Sequence, residues 1–151
     1  MPLGFDFKLD KLQTYQGINP KPADFDQYWD SALAEMRAMD DEVELVPSDF
    51  QADGAECFDL YFTGMGGARV HAKYLRPTGV TEPHPAILMF HGYSGNSGDW
   101  NDKMAFVSQG YSVAALDCRG QGGYSEDVGG VTGNTHNGHI IRGLDDALKG
   151  Q

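Results

Sequence analysis

Cysteine is scarce in this sequence, with Cys57 and Cys118 the only two among 151 residues. Each falls within or beside a strand-like segment, so a disulfide framework is excluded as the basis of the fold and two packed thiols are expected. Basic residues are scarce as well: 11 Lys and Arg stand against 22 Asp and Glu, for a net charge of -11. That balance repels phosphate backbones and offers no basic stripe to an anionic membrane, which excludes nucleic acid as a partner. No apolar run approaches bilayer length, and Met1-Pro2-Leu3-Gly4-Phe5-Asp6 lacks the positive flank and apolar stretch of a signal peptide. The expectation is a soluble, cytoplasmic protein with no membrane partner. What is present is 40% apolar residues, over a length that suits one domain with its own core.

Leu3 to Asn19 shows no sustained hydrophobic period and reads as an extended arm, giving a division into an arm over 1–20 and a domain over 21–151. From Lys21 the pattern changes. Pro22 suits a helix entrance, Asp24 can cap with Gln27, and Phe25, Tyr28, Trp29, Ala32, Leu33 and Met36 recur at helical spacing, predicting a helix to about Met39. Its aromatic stripe is expected to pack on a sheet rather than line a ligand site. Strand-like runs follow at Val43–Val46, Cys57–Thr63 and Val70–Arg76, the last two joined by Gly64-Met65-Gly66-Gly67 as antiparallel neighbours.

Pro85 to Phe90 is a continuous apolar run, the pattern of a strand covered on both faces. Asp99 or Asn101 can cap a helix carrying Met104, Ala105, Phe106 and Val107 and ending at Gly110, after which Tyr111–Leu116 reads as a second buried strand. This β-α-β unit predicts an α/β fold: a mixed sheet, antiparallel at first and then parallel, flanked by helices. The loops after Phe90 and Leu116 would leave the same carboxyl edge, where ligands bind in open α/β sheets. The strand ending at Leu116 is expected to be left exposed at the sheet edge. Gly120 to Gly138 reads as a long loop.

The first of the two edge loops is His91-Gly92-Tyr93-Ser94-Gly95, whose glycines allow a sharp turn that exposes backbone N–H groups. The shape is that of an oxyanion hole, with the Tyr93 N–H as candidate donor, although an ordinary strand-to-helix turn of a doubly wound fold has the same spacing. The second loop is Asp117-Cys118-Arg119-Gly120-Gln121-Gly122-Gly123-Tyr124-Ser125, in which Asp117 and Arg119 are expected to lock the loop as a structural ion pair. A serine nucleophile would need a G-x-S-x-G elbow. Ser94 comes nearest but has Asn96 in the final position, and Ser97, Ser112 and Ser125 fail likewise. His136 and His139 could share a metal, but Asn137-Gly138 between them breaks a helix and no third ligand is suitably spaced, so no metal is expected. His71 and His84 stand alone beside strands and are expected to be without a special role.

These segments together resemble the acetyl xylan esterase and cephalosporin C deacetylase family. The resemblance rests on Pro22-Ala23-Asp24-Phe25-Asp26-Gln27-Tyr28-Trp29, on Ala72-Lys73-Tyr74-Leu75-Arg76-Pro77, on the two edge loops, and on Gly138-His139-Ile140-Ile141-Arg142-Gly143. It implies the N-terminal part of an α/β-hydrolase fold, a Ser-His-Asp triad, no metal and no cofactor, and a cytoplasmic homo-hexamer in the full-length form. It implies small acetylated sugars or cephalosporin-type esters as substrates, and the Tyr93 backbone N–H as one oxyanion donor. The family's nucleophile, acid and base would all lie beyond Gln151, so this chain alone is expected to hydrolyse almost nothing. The alternative from another class is a non-catalytic module that binds sugar or pairs with another subunit.

Overall fold

The computed structural model describes residues 6–130 and Thr132. By internal contacts the chain divides into two compact units, residues 1–35 and 36–151.

In the first unit the expected arm carries a short helix, α1, at Leu9–Thr14. Its hold is local. The Thr14 hydroxyl donates to the Lys11 carbonyl at 3.2 Å, the Phe7 and Tyr15 rings meet edge to face, and Lys11 Nζ lies over the Phe7 ring. One and a half turns are too few for a hydrophobic period to show in the sequence. The second helix, α2, runs Phe25–Ala38, close to the expected span, and the Asp24 carbonyl accepts its first bond from Tyr28 N at 2.8 Å. Within this unit the rings of its aromatic stripe pack against one another, Trp29 meeting both Phe25 and Tyr28.

The second unit is built on a five-stranded sheet in the order β1-β2-β3-β5-β4, formed by β1 (Glu44–Pro47), β2 (Ala55–Gly64), β3 (Ala68–Pro77), β4 (Ala86–Phe90) and β5 (Ser112–Leu116). β2 and β3 pair antiparallel along ten residues each, from Ala55 opposite Pro77 to Gly64 opposite Ala68. The turn between them needs glycine, since Gly66 has φ 70° and a Cβ there would come within 2.7 Å of Val128. The helix α3 (Asn101–Val107) connects β4 to β5, which pair in parallel from Ala86 opposite Ser112 to Phe90 opposite Leu116. The N-cap position of α3 falls on Trp100, which makes no side-chain cap, so neither Asp99 nor Asn101 caps the helix as expected; Asp99 Oδ1 instead accepts from Asn101 N at 2.9 Å in a turn at the helix entrance.

Two expectations about the sheet are corrected. β5 is not at the edge, because it inserts between β3 and β4 and also pairs antiparallel with β3, Ala72 opposite Leu116. Among the described residues β4 therefore takes the outer position and is covered on one face only. Ile87 and Met89 pack against the core of Ala55, Cys57, Leu75, Val107 and Val113, with Trp100, Met104 and Phe106 alongside. On the opposite face Leu88 is 69% and Phe90 68% exposed. An apolar run reports affinity for a covered position but not which neighbour supplies the cover. Cys57 is a buried free thiol in β2, and Cys118 is a half-buried free thiol just after β5.

Candidate functional site

Because β4 and β5 are parallel, the loops that follow them leave the same edge of the sheet, and the structure ties these two loops together. His91 begins the first. Its Nε2 accepts from Cys118 N at 2.9 Å, so Nδ1 carries the proton and donates to the Gly92 carbonyl at 2.7 Å. Gly95 N closes a turn on the Gly92 carbonyl at 3.1 Å, and Gly122 N of the second loop donates to the Gly95 carbonyl at 3.0 Å. Between them Ser94 has φ 62°, a left-handed backbone at a non-glycine residue, and its N–H donates to Gln121 Oε1 at 2.5 Å. The Tyr93 side chain at the crest is 70% exposed.

Asp117 is the centre of the second loop's packing. Only 1% of it is exposed, and its two oxygens take three partners. Oδ1 accepts the Ser97 N–H, and Oδ2 accepts the Tyr124 N–H at 3.0 Å and lies 2.6 Å from His71 Nδ1. The other ring nitrogen, His71 Nε2, lies 2.9 Å from Asp59 Oδ1. Ser125 Oγ donates to the Asp117 carbonyl at 2.5 Å and accepts from His71 N at 2.8 Å. Gly123 makes this packing possible, since a Cβ there would sit 2.0 Å from Asp117 Cγ.

Charge follows from this arrangement. Burial opposes the ionised Asp117, but the hydrogen bonds from His71, Tyr124 N and Ser97 N outweigh it and hold the carboxyl far below the usual range. Burial likewise opposes a charged His71, yet the hydrogen bonds to Asp117 and Asp59 prevail and raise its pKa above the ordinary value. Burial pushes the Cys57 and Cys118 thiols up, Asp117 adding to the effect at Cys118, so neither is a ready nucleophile.

Two expectations are corrected here. The ion pair of Asp117 is made with His71, while Arg119 Nη1 donates to the Met65 carbonyl at 2.6 Å. Sequence proximity favoured Arg119, but the fold brings β3 alongside β5 and places a histidine 46 residues away against the carboxylate. His71 is accordingly wholly buried rather than a histidine without a role. The sequence held one signal of this: the two-residue period of a strand puts His71 on the same face as the core residue Leu75. His84, in the loop before β4, ties that loop to β5, with Nε2 2.8 Å from Ser112 Oγ. Gln121 was not singled out by the sequence at all. His136 and His139 lie outside the described residues, as does most of the expected long loop beyond Gly130.

A cavity of about 170 Å³ opens beside the first loop, between Met89, His91, Ser97 and Ala115. A larger, mostly apolar one of about 560 Å³ lies on the other face of the sheet, lined among others by Met39, Phe62, Val70, Leu116 and Arg119. Among the described residues, no group of three or more His, Cys, Asp or Glu is placed to hold a metal, and no helix is long and apolar enough to cross a membrane.

A mixed sheet with helical connections, and two tethered loops at the carboxyl edge of its parallel pair, define a protein of the α/β class. The family profile described as acetyl xylan esterase (AXE1) matches residues 1–150, and the chain belongs to that family. It is 63% identical to acetyl xylan esterase 1 from Thermoanaerobacterium sp. JW/SL YS485, with a TM-score of 0.82 over 94% of this chain. It is 34% identical to the acetyl xylan esterase from Paenibacillus sp. R4, with a TM-score of 0.69 over 80% of this chain. The chain spans 44% of the length of the first of these proteins and 39% of the second.

Proposed function

We propose that this chain supplies the oxyanion-binding part of a serine esterase that deacetylates small esters, acetylated xylo-oligosaccharides and cephalosporin C among them. The observation that carries the reading is the loop His91–Gly95, held at the carboxyl edge of the parallel strands by the loop that follows β5. In such a reaction a serine attacks the acetyl carbonyl, negative charge grows on the carbonyl oxygen, and a backbone N–H from this loop stabilises it before water releases acetate. Tyr93 N–H is the donor we assign. Its partner donor, the nucleophile, the acid and the base belong to residues outside this sequence. No cofactor enters the scheme. We take residues 1–20 as an arm and 21–151 as part of the hydrolase domain, within a cytoplasmic enzyme that assembles as a homo-hexamer in its full-length form.

The test is the intact mass of the purified protein, measured beside hydrolysis of 4-nitrophenyl acetate on the same sample. The expected result is that hydrolysis accompanies a mass well above 16.5 kDa and is absent from a chain of 16.5 kDa. Robust hydrolysis by a 16.5 kDa chain would contradict the reading.

A further inference from the structure

We propose that Asp59, His71 and Asp117 form a buried clamp whose charged imidazole positions the loop carrying Tyr93, so that neutralising His71 loosens that loop. The argument begins with hydrogen-bond inventory. Both ring nitrogens of His71 face carboxylate oxygens, Asp117 Oδ2 at 2.6 Å and Asp59 Oδ1 at 2.9 Å, and the side chain has no exposure to solvent. A neutral imidazole has one N–H and one lone pair. It can satisfy one of these carboxylates but must turn its lone pair on the other, from a ring that is itself shielded from solvent. Only the imidazolium donates to both.

The consequence reaches the loop through Asp117. The oxygen that His71 does not hold accepts the Ser97 N–H, three residues beyond Ser94, and the oxygen it does hold also accepts the Tyr124 N–H. Rotation of the carboxylate away from an uncharged ring would disturb both bonds together, and with them the two loops they join. The groups that face His71 are few. β2 contributes Asp59 and the Tyr61 ring, and Asp117 follows directly after β5. The second loop contributes Tyr124, whose ring meets His71 edge on, and the uncharged Ser125. Arg69 lies over the Tyr61 ring and is itself paired with Glu44, and Asp117 is the last of the charges that act on buried Lys103. The two carboxylates thus dominate the field at the ring. His71 and Asp59 are positioning residues; neither touches a reacting atom.

The effect on hydrolysis rests on the reading of Tyr93 given above, whereas the clamp does not, and the experiment separates the two. A pH titration of the 15N-labelled chain by NMR, following the His71 ring nitrogens and the amides of residues 93–98 and 124, reads the clamp directly. Both ring nitrogens should be protonated at pH 7, with a midpoint above the ordinary histidine value of 6.5. The amides of Ser94, Ser97 and Tyr124 should shift with that same midpoint. Asp59→Asn, at a partly exposed position, should lower the midpoint of the ring and of the amides together. A His71 already neutral at pH 7, or amides in the loop that do not follow the ring, would overturn the proposal. In the hydrolytically active protein, the clamp further predicts that kcat for 4-nitrophenyl acetate falls with the same alkaline midpoint, and that Asp59→Asn moves it. If the amides track the ring while the rate does not, the clamp stands and the role given to Tyr93 fails.

Discussion

The two loops at the sheet edge are built in opposite ways. The loop after β4 displays itself, with Tyr93 exposed at its crest, a left-handed Ser94 and backbone groups turned toward the other loop. The loop after β5 is an anchor that buries Asp117, Gln121 and Ser125 and uses them to hold main-chain groups. The difference teaches how a short glycine-rich segment keeps one conformation: its own residues supply turn geometry, and its neighbour supplies the acceptors that fix it.

The sharpest way to break this division is Asp117→Ala. It removes the acceptor of the Ser97 and Tyr124 N–H groups and leaves a charged His71 with one carboxylate. The expected loss is about 3–5 kcal/mol in chemical denaturation, the scale for breaking a buried ion pair from one side. Gly123→Ala should follow, at about 1–3 kcal/mol, because its Cβ would overlap the Asp117 carboxylate and overpack the anchor. Gln121→Leu keeps the volume but removes the side-chain acceptor of the Ser94 N–H, which should cost roughly 1–2 kcal/mol. Its amide signal in an NMR spectrum should move most of any in the first loop. Tyr93→Ala, on the displaying side, should change stability by less than about 0.5 kcal/mol, as exposed positions generally do. A large loss there, or none at Gln121, would erase the distinction between the loops.

The pH dependence of stability sharpens the same comparison, and its sign differs for the two partners. His71 is raised above its ordinary value of 6.5 in the folded protein, so its contribution is complete below 6.5 and is lost as pH rises through the higher folded value. Asp117 is depressed below its ordinary 3.8, so its contribution is present above 3.8 and is lost as pH falls through the lower folded value. Thermal unfolding should therefore show greatest stability from this pair between about pH 4 and 6.5, with Tm declining on the alkaline side. Asp59→Asn should move that alkaline decline to lower pH.

Much of the architecture was legible because it is local. The ten-residue hairpin partners lie next to each other in the chain, and the β4-α3-β5 unit is announced by apolar runs and a closing glycine. The insertion of β5 between β3 and β4 was not legible, since pairing between Ala72 and Leu116 depends on long-range competition among strands that no window of sequence contains. The same holds for the site. His91-Gly92-Tyr93-Ser94-Gly95 could be recognised by its glycines, but the histidine that serves Asp117 comes from a strand 46 residues earlier. Arg119, two residues from Asp117, was the wrong partner because its guanidinium reaches the Met65 carbonyl, while the pairing of β3 with β5 brings His71 to the carboxylate.

The central claim is that the Tyr93 N–H stabilises a developing oxyanion, and replacing the amino acid at 93 with its α-hydroxy analogue tests it by exchanging that N–H for an ester oxygen with the side chain intact. In the hydrolytically active protein, kcat for an acetyl ester should fall by about 10²–10³-fold while KM changes little. An unchanged kcat would contradict the account and return the loop to a structural turn.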